Sequence, residues 1–400
     1  MIGPDWSGPE RDVPQASDNA HRRIAVVTGT RAEFGLLRSV MHAIEREPSL
    51  DLLVIAAGSH LVQPALTFKE IKREFTVADS IPMQTVGRVG RWHDVEALGK
   101  GISRFGRSFE RLRPDIVLVL GDRIEAYAAA SAASIGGLPL AHIHGGDLAE
   151  GVADEAMRHA ITKLAHLHFA ATDGAAARIR QMGEPAGRVF VTGSPAIDGL
   201  ADIEPMADAD AQALGNPDIV MLMHPTGRPD EVEEAAAGAV IEAIGNRPAL
   251  LLAPNLDPGR RGVLRAIEST LDRRSITTRD HLPRDRFVAI LKRLAARGGV
   301  LVGNSSAGLI EAGAIGVGVV NVGDRQSQRE RGTNVVDCRE TAASIADAMR
   351  EAVKNDATLR AHPFGSGNTG ETIANHLKSV SLADASLVRK RWAINGNESS

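Results

Sequence analysis

The feature that most constrains this chain is a run of five apolar residues, Ile116-Val117-Leu118-Val119-Leu120, that stops abruptly at Gly121-Asp122. A run this short, with no polar alternation, reads as a strand buried on both faces of a parallel sheet. The small residues from Ala126 to Ser134 then read as a helix, and Leu138 to Ile143 as the next strand. The exit of that strand carries His142, His144, Gly145-Gly146 and Asp147. Two strand ends that both release acids and imidazoles mark the carboxyl edge of an open sheet, where α/β folds bind ligands. Asp154, Glu155, Arg158 and His159 follow at spacings that place several of them along one side of a helix.

The same alternation runs through the rest of the sequence. Ile24 to Val27 reads as a strand that breaks into Thr28-Gly29-Thr30-Arg31 before a helix through Leu37, Val40 and Ile44. Further strands are expected at Leu52–Ala57, Phe169–Thr172 and Val189–Val191. Residues 203–217 are acidic, Ala-rich and without a strand pattern, and are read as a linker. Beyond them the rhythm resumes, with strands at Ile219–Met223, Ala249–Leu252, Val300–Val302 and Val317–Val322. The expected fold is α/β, two Rossmann-like domains (22–202 and 218–380) facing across a cleft. Residues 1–21, rich in Pro, Asp and Ser, are expected to be a disordered tail. Residues 381–400 are expected to form a C-terminal helix, near Leu387 to Ala393, and a tail that crosses back to the first domain.

At 400 residues with 43% hydrophobic and 24% charged content, the chain is long enough for two cores. A net charge of -4 without a basic block gives no electrostatic footprint for nucleic acid. No apolar run approaches the ~18 residues of a membrane span, and the N-terminus lacks the pattern of a signal peptide. Cys338 is the single cysteine, so neither an internal disulfide nor a Cys-based zinc site is possible. A cytoplasmic location is expected.

Several constellations carry chemistry. Gly303-Asn304-Ser305-Ser306 ends a strand directly before a helix, so amides and hydroxyls converge as a phosphate site would require; an N-cap role explains one of the two serines. Glu311, in the following helix, suits ribose hydroxyls or is a solvated acid. His224, before a proline at a strand end, suits a pyrophosphate or is structural. Arg31 beside a helix N-terminus is an anion site or a plain solvated turn residue. Arg325, Arg329 and Arg331 form a cationic loop cluster. His142, His144, Asp147, His159, His166 and His168 invite a metal reading, but no ligand spacing such as HExxH appears, and no metal is expected. Acid–base use of Asp122, His144, Asp147 and Asp154 fits better. The GxGxxG fingerprint of dinucleotide sites is missing after the first strand, which weakens an NAD reading.

The motifs TGTRAEFGLL (28–37), GDRIEA (121–126), HIHGGD (142–147), the DE..RHAITKLAHLHF run (154–169), MHPTG (223–227), PNLD (254–257) and GNSSAGLIEA (303–312), taken in order, closely resemble the UDP-N-acetylglucosamine 2-epimerases over roughly residues 22–378. RHAITKLAHLHF and GNSSAGLIEA look like the hydrolysing branch, which feeds sialic- and legionaminic-type sugars. The resemblance implies a GT-B fold with UDP held mainly by the second domain. Arg31, His224, Ser305, Ser306 and Glu311 fall on the family's nucleotide-binding positions, and Asp122 and Asp154 on its catalytic acids. Arg123 of GDRIEA, Asn255 of PNLD and Arg325 are taken with the substrate-binding set. The family often has Glu where this chain has His144, so either His144 or Asp147 would be the third catalytic group. The implied reaction is inversion at C2 of UDP-GlcNAc, or a related UDP-acetamido sugar, through a 2-acetamidoglucal. No cofactor is implied, and a homodimer is. A non-hydrolysing epimerase giving UDP-N-acetylmannosamine is the alternative outcome, and a GT-B glycosyltransferase and a binding protein without turnover are the rival readings.

Overall fold

In a computed structural model of the protein, the described residues are 21–63, 66–88, 90–149, 154–255, 257–354, 361–384 and 387–390. The first unit is built from β1 (Arg22–Thr28), α1 (Arg31–Arg46), β2 (Leu50–Ala57), α2 (Phe68–Glu74), β3 (Val77–Ile81), α3 (Arg91–Leu112) and β4 (Ile116–Leu120). It continues with α4 (Ile124–Ile135), β5 (Leu140–Ile143), α5 (Glu155–Leu164), β6 (Leu167–Ala170), α6 (Asp173–Gln181) and β7 (Val189–Val191). Its sheet runs β3-β2-β1-β4-β5-β6-β7, with every pairing parallel. The strand order reverses between β1 and β4, so the crevice outside that point is where a ligand fits. Asp122 lies just beyond the end of β4.

One short helix, α7 (Asp208–Gln212), lies within the stretch read as a linker. The second unit contains β8 (Ile219–Leu222), α8 (Asp230–Ile244), β9 (Ala249–Leu252), α9 (Arg260–Glu268), β10 (Ile276–Arg279), α10 (Arg284–Arg297) and β11 (Val300–Gly303). It closes with α11 (Ser306–Leu309), α12 (Glu311–Ile315), β12 (Gly318–Val322), β13 (Val335–Cys338) and α13 (Ala342–Lys354). The order β10-β9-β8-β11-β12-β13, again all parallel, reverses between β8 and β11. The helix expected after Gly303-Asn304-Ser305-Ser306 is two short helices, broken at Ile310.

Each sheet is covered on both faces by separate apolar clusters. After the second sheet the chain returns: Ile373, Ala374 and Leu377 of α14 (Thr369–Ser379), with Leu387, join the core of the first unit around Val40 and Ile44. Lys390 donates to the Ala165 carbonyl and to buried Glu184. Residues 387–390 form turns rather than helix, and 391–400, like residues 1–20 of the tail expected at 1–21, lie outside the described residues.

The two passages between units touch closely. Gly193 (φ +84°) packs so tightly that a Cβ would lie 2.7 Å from the Phe364 carbonyl oxygen, and a Cβ on Gly365 would lie 2.9 Å from Gly193 Cα. Ser194 N–H donates to the Phe364 carbonyl at 2.9 Å. Asp198 accepts from the amides of Thr369 (2.9 Å) and Gly370 (2.8 Å), holding the start of α14.

Candidate active site

The carboxyl edge of the first sheet is organised by two arginines. Arg158, on α5, has only 2% of its surface exposed. Its guanidinium donates to Asp122, to Glu155 one helical turn back, and to the Asp147 carbonyl at 3.0 Å. Burial alone would disfavour its charge, yet the adjacent carboxylates hold its pKa above the usual value. Arg123, just before α4, donates to Asp154 at 3.2 Å and to Asp257 at 3.4 Å. Asp257 belongs to the second unit, so this ion pair spans the cleft. Burial, with Asp122 and Asp257 nearby, raises the Asp154 pKa against the pull of Arg123.

Beside this group, His144 adopts φ +64°, a conformation uncommon outside glycine. Its Nδ1 donates to Asp147 at 2.9 Å, and its Nε2 pairs with the Ser194 hydroxyl at 2.9 Å. Burial would raise the Asp147 pKa, but His144, Arg329 and Arg158 hold it down to about 2.

The second unit meets this edge with its own switch point. Gly303 (φ +146°) lies so close to the neighbouring strand that a Cβ would come within 2.0 Å of the Leu222 carbonyl oxygen. That closeness lets Asn304 exchange two hydrogen bonds with His224: His224 N–H donates to its Oδ1 at 2.7 Å, and its Nδ2 donates to the His224 carbonyl at 2.8 Å. Asn255 N–H donates to His224 Nδ1 at 3.1 Å, which leaves Nε2 as the protonated nitrogen of a neutral ring. Burial and then Arg325 push that imidazole down to about 3. Ser305 is the N-cap of α11, its hydroxyl accepting from Ala307 N–H at 3.3 Å, and Ser306 opens the helix. Burial raises the Glu311 carboxyl against Arg284, His144 and Arg329. Arg325 donates to the Asn304 carbonyl at 3.0 Å. The Nε–H groups of Arg325 and Arg329 are buried and find no partner among the described residues.

Asp122, Arg123, His144, Asp147 and Asp154 thus come together on one wall, and His224, Asn255, Ser305, Ser306, Glu311 and Arg325 on the facing one. Arg31 stands apart: it is half-exposed and pairs with Glu70 at 3.2 Å. Two amides of the turn before it, Gly29 and Thr30, already donate to the Glu33 carboxylate (2.8 and 2.9 Å) in a capping box. Burial and neighbouring Glu125 raise Glu33 to about 8. The histidines that suggested a metal are dispersed. His142 bonds the Gly121 carbonyl at 2.8 Å, His166 accepts from Leu140 N–H at 3.0 Å, and His168 pairs with Glu184 at 3.2 Å. Among the described residues no cluster of three or more potential ligands forms. Sequence reasoning missed the roles of Arg158, Asp257 and Ser194; of these, Arg158 and Asp257 sit inside the RHAITKLAHLHF and PNLD motifs.

A family model described as UDP-N-acetylglucosamine 2-epimerase matches residues 42–378. The chain belongs to the UDP-N-acetylglucosamine 2-epimerase family. Within this family of enzymes it is 35% identical over 372 residues to a UDP-N,N'-diacetylbacillosamine 2-epimerase (hydrolyzing) of Legionella pneumophila, covering 90% of this chain and 97% of that one. It is 30% identical to a UDP-N-acetylglucosamine 2-epimerase of Neisseria meningitidis, covering 87% and 92%. The solved structure of Staphylococcus aureus MnaA with UDP superposes with a TM-score of 0.74 at 22% identity, covering 89% and 96%. At that identity the likeness establishes the fold, the two-unit GT-B arrangement of the family's epimerases.

Proposed function

We propose that the chain is a hydrolysing UDP-sugar 2-epimerase, acting on UDP-GlcNAc or a diacetamido relative and releasing UDP and the free 2-epimer. The observation that carries this reading is the pair Asp122 and Asp154 at the carboxyl edge of the first sheet, each held by an arginine, one of which reaches across the cleft to Asp257. A C2–H bond beside a sugar acetamide is a poor acid and needs a positioned base. A carboxylate takes the C2 proton, the C–H electron pair becomes the C1=C2 double bond, and the C1–O bond breaks with its electrons departing on the β-phosphate of UDP. The product is a 2-acetamidoglucal. Water then adds at C1 while a second acid delivers a proton to the opposite face of C2, which gives N-acetylmannosamine from UDP-GlcNAc.

Asp154 suits the base, because its raised pKa makes it a stronger proton acceptor than a solvated carboxylate. Asp122, fixed by Arg158, suits the opposite face. We assign the diphosphate to the second unit, where Arg325 and Arg329 hold buried donors without partners and His224 offers a neutral ring with Nε2 protonated. Such donors stabilise the charge that builds on the leaving group. A first unit of 22–202 joined by α14, and a second unit from 218 onward up to α14, express this division of labour. The Legionella relative's name favours hydrolysis and a diacetamido sugar over simple epimerisation.

Incubation with UDP-GlcNAc in D2O, followed by proton NMR, tests the reading. Free UDP and a 2-epimer carrying deuterium at C2 are expected, and intact substrate without exchange refutes it. UDP-N-acetylmannosamine as product would indicate the non-hydrolysing outcome. No helix among the described residues is long and apolar enough to cross a membrane, and we place the enzyme in the cytoplasm as a homodimer.

A further inference from the structure

Hydrogen bonds and one ion pair around His144 form a continuous chain from the crossing between the units, the pivot, to a loop of the second unit that contacts the first. At one end stands Ser194, wholly buried in the passage whose neighbour Gly193 packs on Gly365. Its hydroxyl accepts from Ala196 N–H at 3.2 Å and pairs with His144 Nε2. His144 Nδ1 donates to Asp147, and Asp147 faces the Arg329 guanidinium at 3.7 Å. Arg329 belongs to the loop after β12 in the second unit. The next residue, Glu330, accepts from Arg178 (3.1 Å) and from the Thr172 hydroxyl, both of the first unit. Residues 324–331 therefore strap one unit to the other, and His144 links that strap to the pivot.

Ser194, His144 and Asp147 have the bonding order of a hydrolytic triad, but the geometry does not support that chemistry. The Ser194 hydroxyl has no exposed surface and is committed to a backbone amide and to the ring. A nucleophile must reach its substrate. Proton transfer to a sugar by His144 meets a related obstacle, since both ring nitrogens are bonded inside the protein. The left-handed backbone of His144 indicates a position held in place by its surroundings.

We infer that His144 is a positioning residue that couples the pivot at Ser194 to the Arg329–Glu330 strap, keeping the strap docked on the first unit. As a role for His144 in the reaction, this rests on the epimerase reading, whereas the coupling is measurable without substrate. The test is hydrogen–deuterium exchange read by mass spectrometry on the ligand-free protein, comparing residues 324–331 with β13. His144→Asn, in which Asn tolerates the left-handed backbone but cannot span both partners, should speed exchange at 324–331 by about tenfold or more, the worth of a buried charge-assisted hydrogen bond. Ser194→Ala should produce the same local effect from the pivot side, leaving β13 unchanged. That response at a distance separates coupling from a local packing role, and it carries the test if His144→Asn does not fold.

Unchanged exchange in a folded Ser194→Ala variant overturns the inference, as does acceleration spread evenly over both units. Steady-state UDP release adds a second readout: His144→Asn should raise KM while kcat stays within about threefold. A kcat loss of about a hundredfold with the strap still protected would make His144 a catalytic group and overturn the inference. If the wild type releases no UDP, the epimerase reading fails while the exchange comparison still decides the coupling.

Discussion

Replacing Arg158 with Met keeps most of the side-chain volume and removes the charge. The guanidinium, 2% exposed, is the partner of Asp122 and Glu155 and of the Asp147 carbonyl. Removing one member of a buried ion pair costs about 3–5 kcal/mol, because the remaining charge stays desolvated. Here the stranded carboxylates retain about a fifth of their side-chain surface, 22% for Asp122 and 21% for Glu155. Water can therefore recover part of the loss, which places the expected destabilisation near ~3 kcal/mol. For a unit of this size that corresponds to a fall in Tm of roughly 6–12 °C. Calorimetric melting of both proteins at neutral pH measures it. Asp122 also loses the group that orients it, so kcat for UDP release should drop by about a hundredfold. A Tm shift below about 2 °C would show that Arg158 does not compensate the two acids, and unchanged kcat would remove it from the orientation of Asp122.

Asp154→Asn should abolish both UDP release and deuterium entry at C2, with UDP affinity by calorimetry within about threefold of wild type; comparable loss of both would make Asp154 a scaffold residue. In the wild type, turnover should fall with decreasing pH as Asp154 takes up a proton, starting above the usual aspartate range because its pKa is raised; a rate profile with an ordinary aspartate limb would contradict this. Asp147, held down to about 2, contributes stability that is present above the unfolded value near ~3.9 and is lost as pH falls from there toward 2. Urea midpoints measured across that window should drop more steeply in the wild type than in Asp147→Asn, and identical slopes would refute the assignment. Gly193→Ala places a Cβ 2.7 Å from the Phe364 carbonyl in a left-handed conformation, and should cost roughly 1–3 kcal/mol in a denaturant titration; a neutral effect would mean that the contact yields freely.

Strands buried on both faces were legible because an unbroken apolar run of four or five residues fits little besides a doubly covered strand: Ile116–Leu120 and Ala249–Leu252 lie where the residues indicate. The edge strands β10 (ITTR) and β13 (VVDC) were not, since an edge needs only one neighbour and tolerates polar residues. Asp122 and Asp154 were found from strand exits and motif spacing. Arg158 was seen on the right helix, but a buried arginine and a solvated one look alike until the acids around it are placed. Ser194 escaped for another reason: its partner His144 is 50 residues away, and only the fold brings them together. The Glu33 carboxylate also altered the reading of Arg31, because a capping box occupies two amides of the turn that otherwise invited an anion.

The seam formed by Gly193 and Gly365 is two backbones thick, with no side chain on either glycine to act as a spacer. A rotation of one unit against the other about this seam would move Ser194 and its neighbours little and the groups farthest from the seam the most. Any fit of the gap to its occupant made by such a rotation would leave the alignment beside the seam intact.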